Sequence, residues 1–313
     1  MYPAGRLGSD VPNQERAARV NAKKALRASL IGTLLLNPVE SVARHTRNTP
    51  DADGHPMPEC RVPVSVRNGF LVLAAGQIGG VEARFVVDTG TSPSILNARL
   101  ARKMGLEVGG GTLIAVGRAV KSGHAVVPEL DLGPIHATGL PVNVMDLSQL
   151  EKSLGTEIAG LIGMDVLGRA SFRLDYDTKE LEFGDIADEG IAVEYDAASR
   201  LALAEASLQG RRVRLIVDTG SDLVVVYGKS WEAFEPARLV SQTQQGTSVA
   251  EQVPAREIAK PEMQLGGRQF RGMRTCYLPS GAAVGYDGFF GVRALKLHGI
   301  SFDRVKQRMY LLN

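Results

Sequence analysis

The chain is short of most residues that staple, stack or anchor a protein. Two cysteines, Cys60 and Cys276, are too few for a disulfide framework or a structural zinc site; they leave open a single bridge or two unpaired thiols. Aromatic residues make up 5% of the chain, with one tryptophan, which excludes a groove built on stacked bases. An excess of one charge is also missing. The 36 basic and 34 acidic residues leave a net charge of +2, so no nucleic-acid footprint is expected. No apolar run approaches the about 20 residues that cross a bilayer, so no transmembrane span is expected. His45, His55, His124, His136 and His298 show no metal-ligand spacing. Gly109-Gly110-Gly111 lacks the lysine and following helix of a phosphate loop, and no Gly-x-Ser-x-Gly element marks a serine hydrolase. Neither a metal nor a cofactor is therefore expected.

What is present is a hydrophobic fraction of 44% against 22% charged residues over 313 positions, enough for a real core. The 35 glycines suit the tight turns and bulges of an all-β fold. Residues 1–62 stand apart, with no strand alternation and with Pro50, Pro56, Pro58 and Pro63 crowding the end. Lys23, Lys24 and Arg27 precede Leu30-Ile31-Gly32-Thr33-Leu34-Leu35-Leu36, and Ser41-Val42-Ala43 follows. This order fits the charged, apolar and cleavage regions of an export signal, although the polar lead-in is long. It also fits an amphipathic helix over 14–36, a pro-segment whose lysines cover an acidic site, or a plain tail. Export and retention in the cytoplasm both stay open.

The rest of the chain repeats itself, and a repeat governs every later reading. Gly80-Val81-Glu82-Ala83-Arg84-Phe85-Val86-Val87-Asp88-Thr89-Gly90-Thr91 returns as Gly210-Arg211-Arg212-Val213-Arg214-Leu215-Ile216-Val217-Asp218-Thr219-Gly220-Ser221. Glu129-Leu130-Asp131-Leu132-Gly133 then matches Glu262-Met263-Gln264-Leu265-Gly266, and Gly160-Leu161-Ile162-Gly163 matches Gly288-Phe289-Phe290-Gly291. Phe172-Arg173-Leu174-Asp175 matches Ile300-Ser301-Phe302-Asp303. Four blocks in one order place a first copy at 63–187 and a second at 188–313. Short apolar runs bounded by glycine, such as Phe70–Leu73 and Arg84–Val87, read as buried strands. One helix is expected, capped by Ser92, opened by Pro93 and closed by Gly105, with Ile95, Leu96, Leu100 and Met104 on its apolar face. A weaker counterpart runs from Ser230 to Leu239, where Trp231 and Phe234 would pack the second copy.

The repeated Asp-Thr-Gly carries the chemistry. A carboxylate at the end of an apolar strand is costly unless it is hydrogen-bonded or paired. Gly90 or Gly220 lets the chain turn and bring an N–H to the carboxylate, and the hydroxyl of Thr91 or Ser221 can donate to the same group. If the copies meet about a pseudo-two-fold axis, Asp88 faces Asp218. Two such groups cannot both ionise cheaply, so they share a proton and provide one base and one acid.

The sequence resembles the aspartic proteases of the pepsin and retropepsin superfamily. The resemblance rests on Asp88-Thr89-Gly90-Thr91-Ser92, on Asp218-Thr219-Gly220-Ser221-Asp222, and on Leu161-Ile162-Gly163 and Phe289-Phe290-Gly291. The run from Asp88 to Leu106 is most similar to bacterial retropepsin-like domains, and the likeness spans about 63–313. It implies a two-lobed acid-protease fold of pseudo-symmetric β-barrel lobes, with Asp88 and Asp218 as the catalytic dyad. Thr89 and Thr219 would bond across the interface, and Gly163 and Gly291 would lie beneath the catalytic loops. The implied substrate is an extended polypeptide cleaved at a water activated by the dyad. With both halves in one chain, a homodimer is not required. Hairpins at 112–126 and 241–251 would cover the substrate, the first without the tyrosine of the pepsin flap. Asp222, where a small residue is common, is expected to point to solvent. A non-catalytic peptide- or ligand-binding module on the same fold and a narrowly specific processing protease remain the alternatives.

Overall fold

Residues 34–35, 59–116, 118–187, 189–228, 239–247, 252–279 and 285–313 are described by the computed structural model, and all statements here concern them. The apolar runs become hairpins. Leu71–Ile78 pairs with Val81–Val87 across a two-residue loop, Gly79-Gly80, with φ of +56° and +73°. A turn with both central residues at positive φ matches the strand twist, and glycine adopts it without a Cβ penalty. Leu201–Leu208 and Arg211–Asp218 do the same around Gln209-Gly210.

Each hairpin continues into the same set of pairings. Gly160–Ile162 lies parallel to Phe85–Val87 and antiparallel to Ile95–Leu96, and Ile95–Asn97 runs parallel to Asn143–Met145. Gly288–Gly291 likewise lies parallel to Leu215–Asp218 and antiparallel to Val224–Val226, and Val224–Tyr227 runs parallel to Thr275–Leu278. Strands with a covered sheet on both faces read as continuous apolar runs rather than alternating ones. Phe85 and Val87 therefore face the main core while Val86 enters a second cluster with Leu71, Leu73, Ile95 and Leu161. Leu215 and Val217 face the same main core, and Ile216 enters a third cluster with Leu223, Val225 and Phe289. The expectation of an all-β fold with few, short helices is met.

Six strands join the two sets into one antiparallel ribbon. In order they are Cys60–Arg67, Glu180–Phe183, Phe172–Asp175, Gly299–Asp303, Arg308–Leu312 and Ile191–Asp196. At its centre Phe172 stands opposite Phe302, with ring centroids 5.8 Å apart.

The helix differs from expectation. It covers Ala98–Lys103, capped by Asn97, whose side chain accepts from the Arg99 N–H. Ile95 and Leu96 belong to a strand instead, because pairing with Gly160–Leu161 and Asn143–Val144 outweighs the helical start that Ser92-Pro93 suggests. Leu100 and Met104 do pack on the core, and Gly105 sits at φ +66° just past the helix. The second expected helix, 230–239 with Trp231 and Phe234, lies outside the described residues except Leu239, which is strand. The expected helix over 14–36 lies outside them except Leu34–Leu35, which form a two-residue strand. Cys60 and Cys276 are both free thiols, the second buried so that its pKa rises to about 11. No helix among the described residues is long and apolar enough to cross a membrane.

Two glycines set the closest strand approach. A Cβ on Gly160 would lie 2.0 Å from the Ile95 carbonyl oxygen, and one on Gly288 would lie 1.9 Å from that of Val225. Backbone cannot yield as a side-chain tip can. Gly160→Ala and Gly288→Ala should each lower stability by about 2 kcal/mol or more. Urea unfolding checks this, with the midpoint falling and the slope unchanged.

Candidate active site

Asp88 follows the last residue of Val81–Val87, and its N–H donates to the Ile162 carbonyl at 3.0 Å. The next residues turn sharply. Gly90 N–H donates to Asp88 Oδ1 at 2.9 Å and Thr91 Oγ1 donates to Oδ2 at 3.0 Å. In the second set, Gly220 N–H donates to Asp218 Oδ1 at 2.7 Å. Ser221 departs from the expected match: its hydroxyl accepts the Leu223 N–H at 3.1 Å. The two loops meet. Asp88 hydrogen-bonds Asp218 side chain to side chain, and a Cβ on Gly90 would lie 2.6 Å from the Asp218 Cγ. Only a residue without a side chain fits there.

The threonines lock this junction reciprocally. Thr89 Oγ1 accepts the Thr219 N–H at 3.1 Å and donates to the Val217 carbonyl at 2.8 Å. Thr219 Oγ1 accepts the Thr89 N–H at 3.0 Å and donates to the Val87 carbonyl at 2.8 Å. Beneath the loops, a Cβ on Gly163 would lie 2.2 Å from the Thr91 carbonyl oxygen, and one on Gly291 would lie 2.0 Å from that of Ser221. The structure thus brings together all of Asp88, Thr89, Gly90, Thr91, Asp218, Thr219, Gly220, Ser221, Gly163 and Gly291.

Asp88 and Asp218 are both 0% exposed. Burial pushes the Asp88 carboxyl up to about 6, against the opposing pull of hydrogen bonds from Thr91, Asp218 and Gly90. The arrangement therefore keeps a proton on the pair up to about pH 6, while the Gly and Thr donors stabilise the remaining negative charge. That combination supplies one acid and one base within reach of the same bound molecule.

A hairpin of the first set reaches the second set of strands. Gly109–Ala115 pairs with Arg118–His124, so the covering element begins earlier than the expected residue 112, and Gly123 lies within a strand opposite Gly110. Val116 at its tip is fully buried, with φ of +50°, a region a β-branched residue disfavours. It belongs to a buried cluster whose other members, Leu201, Leu203, Ile216, Leu223 and Phe289 among them, come from the second set of strands. The second expected hairpin is present as Leu239–Thr247 paired with Gln252–Ile258.

Two features escape the motif reading. Asp165 is fully buried; Ser94 Oγ donates to its Oδ1 at 2.7 Å and accepts the Gly163 N–H at 2.9 Å. Burial raises its pKa, and its Oδ2 has no hydrogen-bond partner. Its position two residues after Gly163 was the available signal. Asp222 does not point to solvent but pairs with Arg274 at 3.1 Å, and burial raises its pKa as well. Loop geometry turns it towards the core, because the chain must rejoin the buried strand Val224–Tyr227. Elsewhere, Glu129, Asp131 and His136 offer ligand atoms within 4.8 Å of one another, a grouping made by cross-strand pairing that linear spacing hides. It lies on the hairpin's exposed side, and His136 Nδ1 is engaged by Asp131 at 2.6 Å.

Two outcomes follow for this junction. Thr89→Val or Thr219→Val leaves a carbonyl and an N–H of the opposite loop buried and unpaired. Each should cost about 2–4 kcal/mol, read from chemical unfolding. The raised Asp88 pKa favours the neutral form in the fold. Its stabilising contribution is complete below the unfolded value of about 3.9 and is lost as pH rises through about 6. Wild-type melting temperature should fall across that window, by the equivalent of about 3 kcal/mol. Asp88→Asn should flatten the fall.

No curated protein matches the chain. Residues 74–166, which hold Asp88, the covering hairpin, Gly163 and Asp165, match the protein-family model described as aspartyl protease, so this stretch is similar to those enzymes.

Proposed function

We propose that the protein is an aspartic endopeptidase whose dyad is Asp88 and Asp218, built from two tandem retropepsin-like copies at 63–187 and 188–313. The observation that carries this reading is the pair of fully buried, mutually hydrogen-bonded carboxylates joined by reciprocal threonine bonds. The aspartyl protease match to residues 74–166 supports the reaction class, and the recurrence of the same strand pairings around Asp218 supports the duplication. Both carboxylates come from one chain, so a second copy is not needed to complete the site.

The two carboxyls share one proton, so one of the pair acts as the base and the other as the acid. The ionised carboxylate takes a proton from a water held between the two groups as the water oxygen attacks the peptide carbonyl carbon. The protonated carboxyl donates to the carbonyl oxygen, giving a neutral tetrahedral diol. The C–N bond then breaks as the carboxyl that took the water proton passes it to the leaving nitrogen and a diol hydroxyl returns a proton to the other carboxylate, and a carboxylic acid and an amine result. Gly90, Gly220 and Thr91 fix the carboxylates so that little reorganisation accompanies the proton transfers. An extended peptide suits the site because main-chain pairing to strands gives affinity and alternate side chains enter pockets.

Incubation with denatured casein and a peptide library from pH 3 to 7 tests the reading. Wild type should cleave, with kcat/KM falling on the alkaline side as pH passes about 6 and the pair loses its shared proton. Asp88→Asn and Asp218→Asn should each lower kcat/KM by at least about a thousandfold. Cleavage that survives both substitutions overturns the dyad. Cleavage of no peptide at all overturns the enzyme reading in favour of a binding module.

A further inference from the structure

The peptide unit joining Ile162 to Gly163 lies under the Asp88 loop and is bonded at both ends. Its carbonyl accepts the Asp88 N–H at 3.0 Å, and its N–H donates to Ser94 Oγ at 2.9 Å. Ser94 Oγ donates in turn to Asp165 Oδ1 at 2.7 Å. Three hydrogen bonds thus run head to tail from the Asp88 main chain to a carboxyl that is 7% exposed, and bonds aligned in this way strengthen one another. Asp165 has one side-chain hydrogen-bond partner among the described residues, Ser94, and its Oδ2 has none. Val166 and Leu167 beside it belong to the apolar core, so a carboxyl here carries a desolvation cost that packing alone does not require. The second copy shows what this chain of bonds replaces. Its strand runs one residue further, through Gly291, whose N–H donates directly to the Leu223 carbonyl at 2.8 Å. The first strand stops at Ile162, and Gly163 turns to Ser94 instead of a strand neighbour. Val224 stands in the place of Ser94, and Arg293 in that of Asp165.

We propose that Asp165 is a positioning residue for Asp88: through Ser94 it holds the Ile162–Gly163 peptide, and through that peptide it fixes the main chain that carries the Asp88 carboxyl against Asp218. The proposal rests on the endopeptidase reading for what that placement serves. Gly90 N–H and Thr91 Oγ1 belong to the loop itself and move with it, and the threonine exchange ties it to the opposite loop. The Asp88 bond to Ile162 ties the loop to the strand beneath, and the Ser94–Asp165 pair holds the end of that strand. A misplacement of about 1 Å can cost a reaction about a hundredfold in rate. An anchor at this remove therefore bears on the chemistry without touching the substrate.

Substitutions in the full chain test this. Asp165→Ala removes the terminal acceptor, Asp165→Asn keeps an acceptor oxygen, and Ser94→Ala cuts the chain of bonds in the middle. Each is read by the proton chemical shift of the Asp88 amide and by kcat and KM on a peptide that wild type cleaves. Asp165→Ala should move the Asp88 amide upfield, as a weakened hydrogen bond requires, and lower kcat at least about tenfold with KM within about twofold. Asp165→Asn should return both towards wild type. Ser94→Ala should match Asp165→Ala, and the double variant should be no worse than either single one, because all act on one chain of bonds. If Asp165→Ala does not fold, Ser94→Ala gives the same two readouts. An unmoved Asp88 amide overturns the proposal whatever the activity. So does an unchanged kcat with only the melting temperature lowered, which is what a purely structural group would give. An Asp165→Asn protein that behaves as Asp165→Ala overturns it too. A shifted amide in a chain that cleaves no peptide even as wild type upholds the anchoring of Asp88 and sinks the endopeptidase reading instead.

Discussion

Thr89 Oγ1 and Thr219 Oγ1 each accept an N–H and donate to a carbonyl of the opposite loop. Those exchanges bring two carboxylates to one point, out of water, where a lone ionised group would be prohibitively costly. Sharing a proton relieves most of that cost, and short bonds from Gly90, Gly220 and Thr91 carry the rest. Other features follow from the need to hold this junction still. Gly163 and Gly291 let a second layer of backbone pass directly under the loops, and the Ser94–Asp165 pair ties the first of these layers to the chain beyond Pro93.

Much of this was legible in the residues. The duplicated Asp-Thr-Gly, each after an apolar triplet, gave both carboxylates, both threonines and the glycine turns. The Leu-Ile-Gly and Phe-Phe-Gly blocks gave the strands beneath. Local rules failed where tertiary pairing competes with them. Ser92-Pro93 looks like a helix start, yet Ile95–Asn97 gains partners on both sides as a strand and the helix waits for Asn97. Asp222 looks like a solvated charge, yet Arg274, distant in sequence, draws it inward. Asp165 has only its place two residues after Gly163 to mark it, and a single carboxylate there has no counterpart in the second copy, where Arg293 stands. Its meaning lies in Ser94, which sequence does not place beside it.

The two sets of strands are alike in their pairings and unlike in their trim. The first loop has Thr91 bonded to its carboxylate, whereas Ser221 turns to Leu223. The first set carries a buried carboxyl at Asp165 where the second carries Arg293, whose guanidinium lies 5.3 Å from the Tyr176 ring centroid. Tyr176 is buried with its hydroxyl unpaired, and its pKa is raised by desolvation and by the charges of Asp218 and Asp88. Such asymmetry gives the two carboxylates different surroundings, which an acid and a base in one reaction require.

The six-strand ribbon has its own consequence. Phe172–Asp175 pairs with Gly299–Asp303, Glu180–Phe183 pairs with Cys60–Pro63, and Ile191–Asp196 is held by Arg308–Leu312. Strands from the beginning, middle and end of the chain must all be present before the ribbon closes. Pairings so distant along the chain must meet their loop-closure entropy before any contact rewards it, which makes assembly slow. Arg308–Leu312 is synthesised after the other five strands of the ribbon, so the ribbon closes only once this strand has emerged from the ribosome.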